Sequence, residues 1–446
     1  MSINLEETAA SIATLALELG ADQVSVSVSQ SVSTELTQRE QQLEKTKQSN
    51  SLGVGLEILV NDKYSSHSAS DIRLESLKPF LSRAIEVTHF LEQDAHRRLP
   101  ALSELGAAAE VLDVFDSSWS ERTASARKEQ LEQLETTCHE TAKETDIRSI
   151  ASHVWDSQVQ SHVFSLDKDS PNEHFSTGWK RTSFGMGAEI TLVGDEGRLP
   201  EAYDFRSVRH LSDLPTSEEI AKTVLKKGIS RLKSSAIPSE RLPILLENRA
   251  VPRLLRALLG PLGGTAIYEK RSCMLGKLGK QVGASHLNIY DDPHLVRGLA
   301  SRPYDGDGFP THKRPIIENG VLSMYLISLY NSRRLAMART TTSTTNIIIP
   351  PSESSPQELL NVLPKAIVIE GFLGGNTNAI TGDFSLGITG RYFEHGEFVQ
   401  GVSEMNISGN ILELLERFET AANDVWKYSS TVVPSLLFSD IQCSGL

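Results

Sequence analysis

The sequence is short of cysteine, aromatic residues, basic charge and long apolar runs. Only three cysteines occur among 446 residues, Cys138, Cys273 and Cys443. They are far apart, odd in number and form no CxxC, which argues against a disulfide framework or a cysteine-rich zinc site. A reducing, cytoplasmic setting is the simplest expectation. Basic residues number 44 against 57 acidic ones, a net charge of −13. That balance speaks against nucleic acid as a partner, because phosphate binding depends on Lys and Arg. It also disfavours an anionic membrane surface. No window approaches the ~18 apolar residues of a membrane span. The start, Met1 to Glu7, carries neither the basic segment nor the apolar run of a signal peptide.

Several familiar catalytic patterns are missing too. No two of the twelve histidines stand three to five residues apart, so the zinc-protease helix with two His and a Glu is absent. There is no G-x-S-x-G elbow. Gly279-Lys280 is followed by Gln281 where a phosphate loop needs Ser or Thr. Asp305-Gly306-Asp307-Gly308 opens like a calcium loop, but Ile316 stands where the bidentate Glu is required, so it reads as a turn.

What remains is an ordinary globular composition, 39% apolar and 23% charged, long enough for more than one domain. Leu5, Ala9, Ile12, Ala16 and Leu19 make one helical stripe stopped by Gly20. Val24, Val26 and Val28 alternate with serines as a strand. Residues 52–60 and Tyr64 to Ala69 read as strands about an Asn61-Asp62 turn. The polar segment Gln38 to Asn50 fits either a strand pair with a mobile loop or a solvated helix. Helices are expected over Ser76–Asp94 and Ser120–Glu144, with Leu99–Asp116 as linker. Strands follow at Ile150–Val154, Gln158–Ser165 and Phe184–Val193. Thr216-Ser217-Glu218-Glu219 and Ser355-Pro356-Gln357-Glu358 are capping boxes.

The Ser234 to Ser239 stretch is the best domain boundary. The expected fold is α+β in two domains. Residues 1–235 would form an α/β domain with helices on a mixed sheet, and residues 236–446 a β-rich domain, barrel-like or sandwich, with short helices. In the second half, Leu242–Leu246 reads as a strand and Asn248–Leu262 as a helix beginning near Pro252. Gly260 to Gly283 reads as loop, Tyr325–Leu329 as strand, Thr340–Thr345 as an exposed loop, and Asn410–Thr420 as helix. The Gly/Asn/Asp clusters Gly371 to Asn376 and Thr381 to Gly387 permit positive φ and close backbone approach. They fit a loop lining a peptide cleft or subunit seam, with Gly374, Gly375, Asn376, Gly382 and Asp383 as contacts. They fit equally simple tight turns between strands.

At this point several ordered motifs carry a resemblance. They are Glu18-Leu19-Gly20-Ala21-Asp22, residues 298–305 (GLASRPYD), residues 315–322 (PIIENGVL) and residues 381–385 (TGDFS). Gly401-Val402-Ser403-Glu404, Ile407-Ser408-Gly409-Asn410 and Asn423-Asp424 complete the set. Together they resemble the TldD/PmbA family, in its PmbA (TldE) branch, over nearly the whole chain. The resemblance implies a two-subunit cytosolic peptidase acting on unfolded or small peptides, in which the TldD subunit carries zinc on an HExxxH motif plus a later Cys. It places that motif just after the Leu242–Leu246 strand, where this chain reads Asn248-Arg249-Ala250-Val251-Pro252-Arg253. Asn248 and Arg253 then replace both His ligands, and Arg249 replaces the Glu base. The later Cys is also missing between Lys427 and Pro434. The resemblance thus implies a subunit without a catalytic or metal residue of its own. Its partners would be a zinc-bearing TldD-like subunit and an unfolded peptide, with a homodimer as a further assembly. Two other readings stay open. One is an independent metallopeptidase using His286, His294, Asp291, Asp292 and Asp383. The other is a stand-alone peptide-binding scaffold.

Overall fold

The structure, a computed structural model, describes residues 3–445. The first half runs α1 (Leu5–Glu18), β1 (Gln23–Arg39), β2 (Gln42–Val60), β3 (Lys63–Ala69), α2 (Leu74–Phe90), α3 (Ala124–Thr141), β4 (Ile147–Asp167), β5 (His174–Leu192), β6 (Glu201–Val208) and α4 (Ser217–Leu232). Its strands form one sheet in the order β3-β2-β1-β4-β5-β6. The long strands present even-numbered residues inward, and two helix pairs cover that face. Ala9 and Ile12 of α1 with Leu77 and Leu81 of α2 pack on Val24, Val26, Leu56 and Ile58. Leu131 and Leu134 of α3 with Ile220 and Val224 of α4 pack on Ile150, Val154, Met186 and Ile190.

The α+β class and the barrel-like second half are as expected, but the first sheet is not mixed. All five of its pairings are antiparallel. Tight turns join β1 to β2 and β2 to β3, at Glu40-Gln41 and Asn61-Asp62, all four residues taking positive φ, and hairpins can only make antiparallel neighbours. The Gln38 to Asn50 segment is therefore strand, although residues 42–51 are exposed or nearly so. The Leu99–Asp116 linker is anchored, burying Leu112 and Val114 and donating from Gly106 and Ala108 to the carbonyls of Gly308 and Pro303.

The second half comprises β7 (Ser234–Ser235), β8 (Glu240–Leu246), α5 (Val251–Leu259), α6 (Gly264–Tyr268), β9 (Ile289–Asp292), β10 (Arg314–Glu318), β11 (Val321–Leu322), α7 (Leu329–Leu335), β12 (Asn346–Ile348), α8 (Pro356–Asn361), β13 (Lys365–Phe372), β14 (Asn376–Thr377), β15 (Asp383–Glu394), β16 (Glu397–Asn410), α9 (Ile411–Glu416), β17 (Phe418–Ala421), β18 (Thr431–Val432) and β19 (Leu436–Ser444). Strands β13, β8, β19, β16 and β15 pair in a cycle, because β15 bonds to both β13 and β16, so this part of the sheet closes into a five-stranded barrel. A smaller sheet, β11-β10-β9-β12-β18, shares one core with the barrel and α5.

Four local expectations change here. The Gly260 to Gly283 segment contains α6. Tyr325–Leu329 is not a strand: its last residue opens α7, capped by the Ser328 hydroxyl. Asn410 does cap a helix, but α9 ends at Glu416 and the chain returns as β17. The Thr340–Thr345 cluster buries Thr341 and Thr345, and the Thr345 N–H and hydroxyl both donate to Asp291, at 2.6 Å.

Candidate functional site

The zinc-motif positions sit where β8 leaves the barrel and turns into α5. Pro252 stands at the start of that helix, where a missing N–H costs nothing. Asn248 is buried in the turn before it. Its side-chain amide donates to the Asp424 carbonyl (2.6 Å) and carboxylate (3.1 Å). Its backbone N–H donates to the Ser435 hydroxyl, which itself donates to the Asp424 carboxylate at 2.7 Å. The Ser435 N–H closes the ring on the same carboxylate at 2.8 Å.

Arg249 points to the other half of the molecule. Its guanidinium pairs with Asp204 of β6 and lies 3.8 Å from the centre of the Trp426 ring. Asp204 is fully buried and accepts two more bonds from Arg206, at 3.0 and 2.9 Å. Arg206 in turn lies 5.3 Å from the Trp426 ring and 5.0 Å from Tyr428, and donates to Thr223 of α4 at 3.2 Å. Two cations, one buried carboxylate and two aromatic faces thus clasp β6 and α4 to the entrance of α5. Buried charge is tolerable only when paired in this way.

Arg253, in the first turn of α5, is less enclosed. Its guanidinium donates to the Gly375 carbonyl at 3.4 Å, which joins the zinc-motif positions to the glycine loops. Gly374, Gly375 and Gly382 all have positive φ. A Cβ on Gly375 would lie 2.3 Å from the Ser385 carbonyl, so glycine is required there. Asn376 pairs with Ser385 in a short ladder. Asp383 accepts from the Thr381 hydroxyl at 2.6 Å and the Asn410 amide at 3.0 Å, which hold its carboxyl below the usual range. Residues 373–381 are exposed. An open depression of about 790 Å³ separates residues 377–380 from the segment 260–271.

The alternative metal candidates do not converge. His286 bonds the Glu419 carbonyl and stacks on Phe418. His294 bonds Thr311 and faces Glu110. Asp291 is held by Thr345, and Asp292 by Lys313 at 2.9 Å, while Asp383 lies in the glycine hairpin. Among the described residues no group of three or more His, Cys, Asp or Glu could hold a metal ion. The set at the α5 entrance does not fit zinc, since Arg249 and Arg253 present guanidiniums, which have no lone pair to give, and Asn248 alone is left as an oxygen donor. Asp305 and Asp307 are likewise committed, both pairing with Arg339, as the turn reading requires.

Sequence reading missed Asp204, Arg206, Trp426, Tyr428 and Ser435. One signal was present: residues 201–208 alternate, burying Ala202, Asp204, Arg206 and Val208. An Asp and an Arg at inward positions of a strand announce a buried ion pair.

Comparison with known proteins agrees with this architecture. Residues 24–88 match the family described as PmbA/TldA metallopeptidase domain 1, and residues 239–445 its C-terminal domain. The metalloprotease PmbA of Escherichia coli O157:H7 is 25% identical over 445 residues, covering 96% of this chain and 94% of that protein. A PmbA homologue of Buchnera aphidicola is 26% identical over 397 residues, covering 88% and 86%. A crystal structure from Bacteroides thetaiotaomicron, described as a candidate modulator of DNA gyrase, superposes with a TM-score of 0.90 at 27% identity, over 99% of this chain and 98% of that one. TldE from Thermococcus kodakarensis shares the fold, with a TM-score of 0.86 at 17% identity over 98% and 100% of the two chains. With matches that span both halves of the molecule and carry its sheet and barrel together, the chain belongs to the PmbA/TldD metallopeptidase family, in its PmbA (TldE) type.

Proposed function

We propose that this chain is the non-catalytic, TldE-type subunit of a two-subunit zinc peptidase that processes unfolded peptides. The observation that carries the reading is Arg249. A general base and a metal ligand both need a lone pair, and this position holds a permanent cation already committed to Asp204 and Trp426. Zinc would come from a TldD-like partner. In this reading residues 1–235 and 236–446 are the two domains, the assembly is cytoplasmic, and a homodimer uses the same surface when the partner is absent. The edge strand β14 and the glycine loops beside Arg253 suit an extended peptide. Strand addition reads backbone and tolerates varied sequence.

The test is cleavage of an unfolded peptide by the purified chain, alone and mixed with a TldD-like subunit, with and without chelator. The expected result is cleavage by the mixture beyond that of the TldD-like subunit alone, abolished by chelator, and none by this chain alone. Chelator-sensitive cleavage by this chain alone would overturn the reading. Peptide binding with no effect on a TldD-like subunit would leave only the scaffold.

A further inference from the structure

On the far side of the clasp, between α4 and the barrel, lies a cavity of about 550 Å³, the size of a small-ligand site. It adjoins the α5 entrance: Thr223, which lines it, accepts from Arg206, and Glu247, also in its lining, directly precedes Asn248. Its chemistry is specific. Glu247, just past the end of β8, is part of its lining. One oxygen of the Glu247 carboxylate, Oε2, is buried without a hydrogen-bond partner. The nearest cation, Lys227, stays 3.9 Å away, too far for a hydrogen bond. Burial pushes the Glu247 carboxyl up and the Lys227 ammonium down. The neighbouring Glu370 is already satisfied by Arg391, at 2.6 Å. Along the rim, α4 sets Lys222 and Lys226 on one face, at helical i, i+4 spacing. Both are exposed, and neither has an ion-pair partner among the described residues. Ile229 and Phe398, 47% and 50% exposed, supply apolar wall.

The cavity therefore offers an orphan acceptor, a free pair of cations and an apolar wall. An N-acylated amino acid offers the three matching groups: an amide N–H, a carboxylate and a side chain. We propose that this cavity binds the C-terminal residue of a peptide ending in an apolar side chain. The peptide N–H donates to Glu247, the terminal carboxylate meets Lys222 and Lys226, and the side chain lies on Ile229 and Phe398. A phosphate is disfavoured because it would bring no N–H and would repel Glu247. The choice of a peptide rests on the peptide-handling reading above. Binding to this chain needs neither partner nor cleavage, so the two can fail separately.

The experiment is a ligand-observed NMR titration of the full chain with N-acetyl-L-leucine, its amide N-acetyl-L-leucinamide, and 4-methylpentanoate, which lacks the N–H. N-acetyl-L-leucine is expected to bind saturably, and each of the other two about tenfold more weakly, the scale of one hydrogen bond to a charged group. The double variant K222Q/K226Q, on an exposed helix face, should bind acid and amide alike. E247Q keeps an acceptor without the charge and should bind N-acetyl-L-leucine at least as tightly as the parent chain. Absent saturation, equal binding of acid and amide by the parent chain, or an unchanged preference in K222Q/K226Q would overturn the proposal. Equally tight binding of 4-methylpentanoate would also overturn it, in favour of a site for free carboxylic acids.

Discussion

The two regions joined by Arg253 differ in how their polar groups are used. At the entrance of α5, Asn248 and Arg249 are tied to Asp424, Ser435, Asp204 and Trp426, and the carboxylates there are shared among several donors. A few residues on, the 373–381 hairpin is exposed, and Arg253 touches it through one long bond. The first region has spent its chemistry on holding β6 and α4 against the barrel. The second keeps an open sheet edge and a backbone shaped by glycine. The difference separates a structural clasp from a surface still available for binding.

The largest effect is expected from cutting the clasp at its centre. D204A leaves the Arg206 and Arg249 guanidiniums without their shared carboxylate and should lower unfolding free energy by about 3–5 kcal/mol, measured by urea denaturation followed through tryptophan fluorescence. N248A removes donors from Asp424 and should cost about 1–3 kcal/mol in the same assay. G375A is the largest effect expected in the hairpin. Its φ of +99° and the close Ser385 carbonyl should cost upwards of about 1 kcal/mol, without altering the tryptophan environment. R253A should stay within about 0.5 kcal/mol of the parent chain. If it cost as much as D204A, the contrast between the regions would fail.

The smallest effect concerns pH. The Asp383 carboxyl is held below its usual range by Thr381 and Asn410, so its ionised form favours the folded state. That contribution is present at neutral pH and is lost as pH falls through the depressed folded value. The small stability difference between D383N and the parent chain should vanish over the same acid range, which thermal melts across pH would show.

How much of this was legible depended on distance along the chain. The α1 stripe and both capping boxes are local, and the structure has them. The long strands were not legible. Residues 42–51 bury almost nothing, so no alternation marks them, yet they pair with β1 along their length. β4 looked like two strands because Asp156 interrupts its apolar pattern. Asp156 is in fact inward and pairs with Arg122 and Arg127, at 3.0 and 2.6 Å. At the candidate site, the resemblance marked Asn248, Arg249 and Arg253, but the residues holding them come from β6 and from the 424–435 segment. No local pattern links Arg249 to Asp204 or Trp426; the packing of β6, the edge strand of the first sheet, against the entrance of α5 brings Asp204 to it, and the chain after β17 brings Trp426.

The engagement of Arg249 by Asp204 and Trp426 assigns the α5 entrance to structure rather than metal. The most direct measurement is the zinc content of the full chain after saturation with zinc and gel filtration, by elemental mass spectrometry. Far less than one zinc per chain is expected, unchanged in R253A. One tightly held zinc per chain, lost on substitution of Asn248 or Arg253, would contradict it.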